Sequence, residues 1–492
     1  MKTLSQLTFN NTYSALPSTF GTRITPQPLG DPFLISVNSE VCQLLELDPT
    51  EANTPYFIDL FTGNDEHPHF DPIAMKYTGH QFGQYNPDLG DGRGLLLGEV
   101  LTSTGCKWDI HLKGSGLTPY SRQGDGRAVL RSSIREYLAS AAMAGLGIKT
   151  THALAVLSSS TAVYREKIER GATLIRVAES HLRFGHFEYL FYTNQHAELQ
   201  QLADYVIQHH FPEISEEPDD EQRYALMFQR IVALTAKLIA DWQAVGFAHG
   251  VMNTDNMSVL GLTFDYGPYG FLDDYNPGYI CNHSDYSGRY AFNQQPSIAL
   301  WNLSALGYAL TPLLHKDKID AGLTLYQTQL QREYSQNMRR KLGLIAKEKE
   351  DTDLFNHLFD LLSQQAVDYT LFFRTLSSIP HSELPNPSHT LTELFHNTAP
   401  LEQWLSEYAK RLEKEPQPDG ERLVMMQSVN PKFILRNYLT QQAIDAAEQG
   451  DNSLVEQLLE VLATPYAEHT RFTHFAQSPP DWGKELEISC SS

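Results

Sequence analysis

The spacing of apolar residues changes once along this 492-residue chain, near residue 190, and that change restricts the fold more than any other feature. The first third is strand-like and glycine-rich. Residues 95–101 and 108–113 read as two strands joined by the turn Ser103-Thr104-Gly105. After a second glycine-rich connection, Ser132 and Ser133 are placed to cap a helix running through Glu136 and Leu138 to a stop at Gly145 or Gly147. Beyond residue 190, Met227, Ile231, Leu234, Leu238, Trp242 and Val245 recur at helical steps, and Gly246 closes that helix. The acidic stretch 213–221 reads as solvated surface. From about 296 to 475, amphipathic helices alternate with Pro- and Gly-bearing loops, and Leu454, Leu458, Val461 and Leu462 mark a late helix ending before Pro465. With no internal repeat or long low-complexity linker, the pattern predicts one α+β unit. Its β-rich N-terminal lobe covers 1–188 and its large helical C-terminal lobe 189–492.

Charge narrows the partners. A net charge of −22 opposes nucleic acid as the main ligand, because phosphate binding needs a positive field. Arginines nevertheless cluster locally, at Arg122, Arg127, Arg131 and Arg135 and again at Arg176 and Arg183, which suits a small polyanion. The four cysteines, Cys42, Cys106, Cys281 and Cys490, form no Cys-x-x-Cys pair, so neither a structural zinc site nor a disulfide scaffold is expected. The N-terminus has no signal-peptide core and no stretch of about 20 apolar residues suggests a membrane span. A cytoplasmic protein is expected, with no membrane or nucleic-acid partner and nothing that demands more than a monomer.

Gly90-Asp91-Gly92-Arg93-Gly94 immediately precedes a predicted strand, where glycines let backbone N–H groups approach a phosphate. Lys113 ends the next strand, and Glu136 lies 23 residues later on the predicted helix (136 − 113). An ion pair between them would hold the ammonium for phosphate contact. Asp125 and Gly126 lie in a second glycine-flanked loop. Arg176 and Arg183 either clamp a terminal phosphate or pair with local carboxylates such as Glu179 or Glu188. Asn256 and Asp265 are hard oxygen donors suited to Mg²⁺ or Mn²⁺, and Asp255 is placed to deprotonate a hydroxyl. His80 and His249 lack companions at ligand spacing and read as structural.

In order, these parts resemble a protein kinase: glycine loop, lysine strand, glutamate helix, His249-Gly250-Val251-Met252-Asn253-Thr254-Asp255-Asn256, then Asp265-Tyr266-Gly267. Aligned on His249, the kinase base falls on Val251, which cannot accept a proton. Either the chain is a dead kinase, or Asp255 serves a chemistry arranged differently. Four runs carry a closer resemblance: Tyr77-Thr78-Gly79-His80-Gln81-Phe82-Gly83, Leu89-Gly90-Asp91-Gly92-Arg93, residues 112–122 (Leu112-Lys113-Gly114 onward) and His249 through Met257. With Pro479-Pro480-Asp481-Trp482 and the terminal Cys490-Ser491-Ser492, they are similar to the selenoprotein O (SelO) family of pseudokinases across nearly the whole chain.

That resemblance implies a protein-kinase-like two-lobed fold and an adenylyltransferase that binds ATP flipped, moving AMP to Ser, Thr or Tyr hydroxyls of proteins, itself included. It implies that Gly90, Gly92, Arg93, Lys113, Asp125, Gly126, Arg176, Arg183 and Asp265 hold the nucleotide. Asp255 would be the base, and Asn256 and Asp265 would bind Mg²⁺ or Mn²⁺. Competing readings are γ-phosphoryl transfer, UMP transfer from UTP, and a non-catalytic nucleotide-binding scaffold. Many animal members of that family carry selenocysteine near the C-terminus; here the position is Cys490, and a reversible Cys281–Cys490 disulfide is the accompanying hypothesis.

Overall fold

Strand register decides which side chains face the cleft. The computed structural model describes residues 1–384 and 389–488. Its main sheet has eight antiparallel strands. The central ones are Gly94–Leu101, Lys107–Lys113, Ile168–Ala178 and His152–Tyr164, hydrogen-bonded in that order. Lys113 pairs with Gly94 on one side and Leu174 on the other, and His111 pairs with Arg176. Because successive side chains alternate faces, Lys113, His111 and Arg176 share one face. Ile110, Leu112, Ile175 and Val177 share the other, in a core closed by Val41, Leu45, Phe57 and Phe61 from two short N-terminal helices. Each fully buried aliphatic side chain there contributes about 1.5–3 kcal/mol, so a one-residue slip that exchanged the faces would be strongly disfavoured.

The expected hairpin is present, with strands Gly94–Leu101 and Lys107–Lys113. The predicted helix spans Leu130–Gly145, but its cap differs from expectation. Val129 is the N-cap, and Ser132 and Ser133 lie inside the helix. Both hydroxyls donate back to the Val129 carbonyl, at 3.2 and 2.9 Å. The strand Ala128–Val129 runs directly into the helix, so the sheet orients the first turn instead of a side-chain cap. This helix packs Ile134 and Leu138 against Val156 and Leu174 of the sheet, which leaves Glu136 fully buried facing Lys113.

The run of helices that follows the sheet begins with Phe184–Tyr192, so the division at 188/189 falls within a helix. The long helix Asp220–Val245 ends at Gly246 as expected, and the helix Lys316–Lys341 lies along it. The acidic stretch contributes a short 3₁₀ turn, Pro212–Ile214, and the Asp219 N-cap. The late helix is Ser453–Ala463. A separate core of Phe372, Trp404, Tyr408 and Leu358 organises the C-terminal helices. No helix among the described residues is long and apolar enough to cross a membrane.

Candidate functional site

The loops 88–93, 119–127 and 251–268 and three strands of the main sheet meet at one cleft of ≈ 1220 Å³, ample for a nucleotide. The strands Phe247–Ala248 and Gly270–Phe271 pair and pinch off residues 249–269, so Asp255, Asn256 and Asp265 emerge from a single closed loop. His249 is the strut of that loop. Its Nε2 bonds the Phe264 carbonyl (3.0 Å), its backbone N–H donates to Gln295 Oε1 (2.9 Å), and its ring stacks on Trp242. A tight Thr254–Asn256 turn then presents the polar side chains. Val251 lines the cleft and offers no base.

Gly90, Gly92, Arg93, Lys113, Asp125, Gly126, Arg176, Arg183, Asp255, Asn256 and Asp265 all line this cleft. Gly126 has a left-handed backbone (φ +70°), and a Cβ there would lie 2.0 Å from the Gly116 carbonyl oxygen, so the loop admits only glycine at that point. Asp125 sits at the exposed end, bound by the Arg165 guanidinium at 2.8 and 2.9 Å. Of the four clustered arginines, Arg122 and Arg127 line the cleft. Arg131 pairs with Glu169, and Arg135 donates to the Tyr269 carbonyl.

The buried end carries a continuous ionic chain. Lys113 Nζ donates to Glu136 Oε2 (2.7 Å), and Arg176 grips the same carboxylate at 2.5 and 3.0 Å. Arg176 also reaches Asp265 Oδ1 (3.0 Å), while Arg183 pairs with Asp265 Oδ2 and donates to the Asp255 carbonyl (2.8 Å). Glu179 and Glu188, the local carboxylates considered from sequence, have other partners: Glu179 pairs with Lys149, and Glu188 bonds His80 and Thr254.

Burial lowers the Lys113 ammonium to about 8, against the pull of Glu136. Burial opposes ionisation of Glu136 and Asp265 as well, but neighbouring cations win. Arg176 and Lys113 hold Glu136 at about 2, and Arg183 and Arg176 hold Asp265 far below the usual carboxylate range. Asp265 also has a left-handed backbone (φ +60°), a conformation kept by these ion pairs.

Asp255 is the electrostatic opposite. Burial, reinforced by the Asp265 charge and countered by Arg183, pushes its carboxyl up to about 7, the range suited to a general base. Its Oδ1 is buried and accepts no hydrogen bond among the described residues, and the same is true of Asn256 Oδ1. Asn256 Nδ2 donates to Asp265 Oδ2 (3.2 Å), bringing both donors to one place. An orphaned amide oxygen beside a carboxylate fits a hard divalent cation. Among the described residues no group of three or more His, Cys, Asp or Glu gathers for a metal.

Sequence reasoning assigned no site role to the hairpin Gly79–Gln81/Gln84–Asn86. Gln81 Nε2 lies 3.5 Å from Asp255 Oδ2, and the His80 N–H donates to Thr254 Oγ1 (2.7 Å). The run 77–83 was visible in the sequence, but nothing local showed that it crosses the Asp255 loop. Cys281 is buried with its Sγ 3.5 Å from the Ala248 carbonyl oxygen. Its hypothesised partner, Cys490, lies outside the described residues.

A cleft walled by buried cations, with a buried carboxylate of raised pKa beside them, is the equipment of a nucleotide-dependent transferase. Comparison with known proteins agrees. Residues 3–463 match the family described as "Protein adenylyltransferase SelO", and the chain belongs to that family. It is 68% identical to a "Protein nucleotidyltransferase YdiU" of Photobacterium profundum, across 100% of both chains. Proteins of the same name from Aliivibrio salmonicida and Vibrio atlanticus are 56% and 54% identical, again across 100% of both chains.

Proposed function

We propose that this protein transfers AMP from ATP to Ser, Thr or Tyr hydroxyls of acceptor proteins, with the nucleotide reversed relative to a kinase. The supporting observation is the placement of charge. Lys113, Arg176 and Arg183 are only 4%, 7% and 2% exposed. The most highly charged end of a triphosphate is therefore best stabilised at the buried end of the cleft, leaving the α-phosphate nearer Asp255. Asp255 then takes the acceptor hydroxyl proton as the oxygen attacks the α-phosphorus. The P–O bond to the β-phosphate breaks and pyrophosphate leaves. Arg93, Gly90 and Gly92 would line the phosphate path, with Asp125 and Gly126 towards the nucleoside.

Mg²⁺ or Mn²⁺, held by Asn256 and Asp265, would supply charge neutralisation at the phosphates. Glu136 keeps Lys113 and Arg176 oriented, and Val251 needs no catalytic role in this arrangement. The reading carries with it a kinase-like division into lobes 1–188 and 189–492.

Label transfer from ATP marked at the α- or the γ-phosphate tests the proposal, with Mg²⁺ or Mn²⁺, the protein and a cell extract. Protein label from α-marked ATP alone is expected. Label from γ-marked ATP alone would instead establish phosphoryl transfer with Asp255 in a conventional geometry.

A further inference from the structure

The tip of the Gly79–Gln81/Gln84–Asn86 hairpin forms a lip beside the catalytic loop. Phe82 is 44% exposed, although its backbone N–H is anchored to Asn253 Oδ1 (3.2 Å) and Tyr290 Oη (2.9 Å). Its ring lies 5.1 Å from that of Tyr290. Next to it, the Arg289 guanidinium lies over the Trp301 ring at 5.0 Å. A Cβ on Gly83 would meet its Cζ and both terminal nitrogens at 3.4–3.5 Å. Arg289 is thus sandwiched between an indole and bare backbone, with little freedom to move.

Among the described residues Arg289 forms no ion pair, and its Nε is buried without a hydrogen-bond partner. Its side chain hydrogen-bonds Tyr290, and in a chain of net charge −22 a fixed guanidinium without a carboxylate partner asks for an anion. It does not line the nucleotide cleft. Gln81, which touches Asp255, and Gly83, which touches Arg289, are two residues apart, a span of about 7 Å at most in extended chain. Gln81 lines the cleft and lies against Asp255, so the lip borders the side from which an acceptor hydroxyl would approach that carboxylate.

We propose that Arg289, with Phe82 beside it, is an acceptor-reading subsite that takes an acidic side chain about two residues from the modified hydroxyl. This rests on the transfer reading above. The guanidinium, already stacked, pairs with the carboxylate through its free edge, and Phe82 covers the neighbouring segment.

The test uses synthetic peptides with a central Ser, Thr or Tyr, scanning Glu, Gln and Lys through three positions on either side. Transfer is read from α-marked and from γ-marked ATP, with wild type, Arg289→Glu and Arg289→Gln. At one flanking position the wild type should favour Glu over Lys by about tenfold in kcat/KM. Arg289→Glu should invert that preference and Arg289→Gln abolish it, with KM for ATP within about twofold. The comparison reads whichever label moves, so label from γ-marked ATP alone would overturn the AMP reading without deciding this one. An unchanged flanking profile in either variant overturns the subsite, as does a loss of ATP binding that accompanies the loss of preference. If no peptide is labelled, anisotropy of fluorescent Glu and Lys peptides decides: equal binding to the wild type refutes the subsite, and a Glu preference lost in Arg289→Gln supports it.

Discussion

Replacing Glu136 with Gln keeps the shape of the side chain and removes the one charge that Lys113 and Arg176 share. The group is 1% exposed and both cations are buried, so solvent cannot take over. Breaking a buried ion pair by removing one partner costs about 3–5 kcal/mol, here chiefly at Lys113, because Arg176 keeps its pair with Asp265. Unfolding entropy of ~2.1 cal/mol/K per residue over 492 residues gives ~1 kcal/mol/K, so Tm should fall by ~3–5 °C at pH 7. Glu136 is held at about 2 against an ordinary 4.5. Its stabilisation is therefore fully present above pH 4.5 and disappears as pH falls through 2. The same cations are the ones proposed to receive polyphosphate. Inorganic triphosphate, which replaces the lost charge, should raise the Tm of Glu136→Gln more than that of wild type, while AMP transfer falls. Differential scanning fluorimetry with and without triphosphate measures both shifts. A variant Tm within ~1 °C of wild type, or a smaller triphosphate shift than wild type shows, would refute the charge-sharing argument.

Asp255→Ala should lower transfer by about 10²–10⁴ while ATP binding, followed by calorimetry, stays near wild type. Asp265→Ala should weaken nucleotide binding in the presence of Mg²⁺ or Mn²⁺ and release Arg176 and Arg183; unchanged metal-dependent binding would exclude Asp265 as a ligand. Lys341 offers a test remote from the cleft: burial lowers its ammonium to about 7, and its Nζ lies 4.1 Å from the Phe373 ring centre. Below pH 7 the folded state holds this buried charge at full cost, and the cost fades as pH rises towards 10.5, the ordinary lysine value. Lys341→Met should therefore stabilise the fold most at pH 6, on the order of 2–4 kcal/mol, and progressively less by pH 9, with Tm following, part of the cost being offset by the aromatic contact. A stabilisation independent of pH over this range would show that the lysine stays protonated in both states and that burial does not lower its ammonium.

Much of the site was legible because its parts are local. The strands bearing Gly94 and Lys113, the stop at Gly246 and the spacing of Asp255, Asn256 and Asp265 follow from alternation, turn chemistry and side-chain type within a few residues. The Lys113–Glu136 pair was legible too, since a strand followed by a helix packed on the same sheet brings their facing positions together. The cap of the Leu130–Gly145 helix was misread because a serine pair at a helix start has two uses, and only the incoming strand at Ala128–Val129 decides between them.

The partners of Arg176 and Arg183 belonged to tertiary structure alone. Sequence proximity pointed to Glu179 and Glu188, yet strand alternation turns Arg176 towards Glu136, and loop closure at Phe247–Phe271 carries Asp265 to both guanidiniums. The hairpin lip at Phe82 likewise meets Tyr290 only after more than 200 residues have been folded between them, a separation of 208. Composition and near-neighbour chemistry determined which elements this chain forms and which functional groups it owns. Which charges face each other, and so how the cleft is polarised, was decided by register and chain closure, because an ion pair depends on a few ångströms that no local pattern encodes.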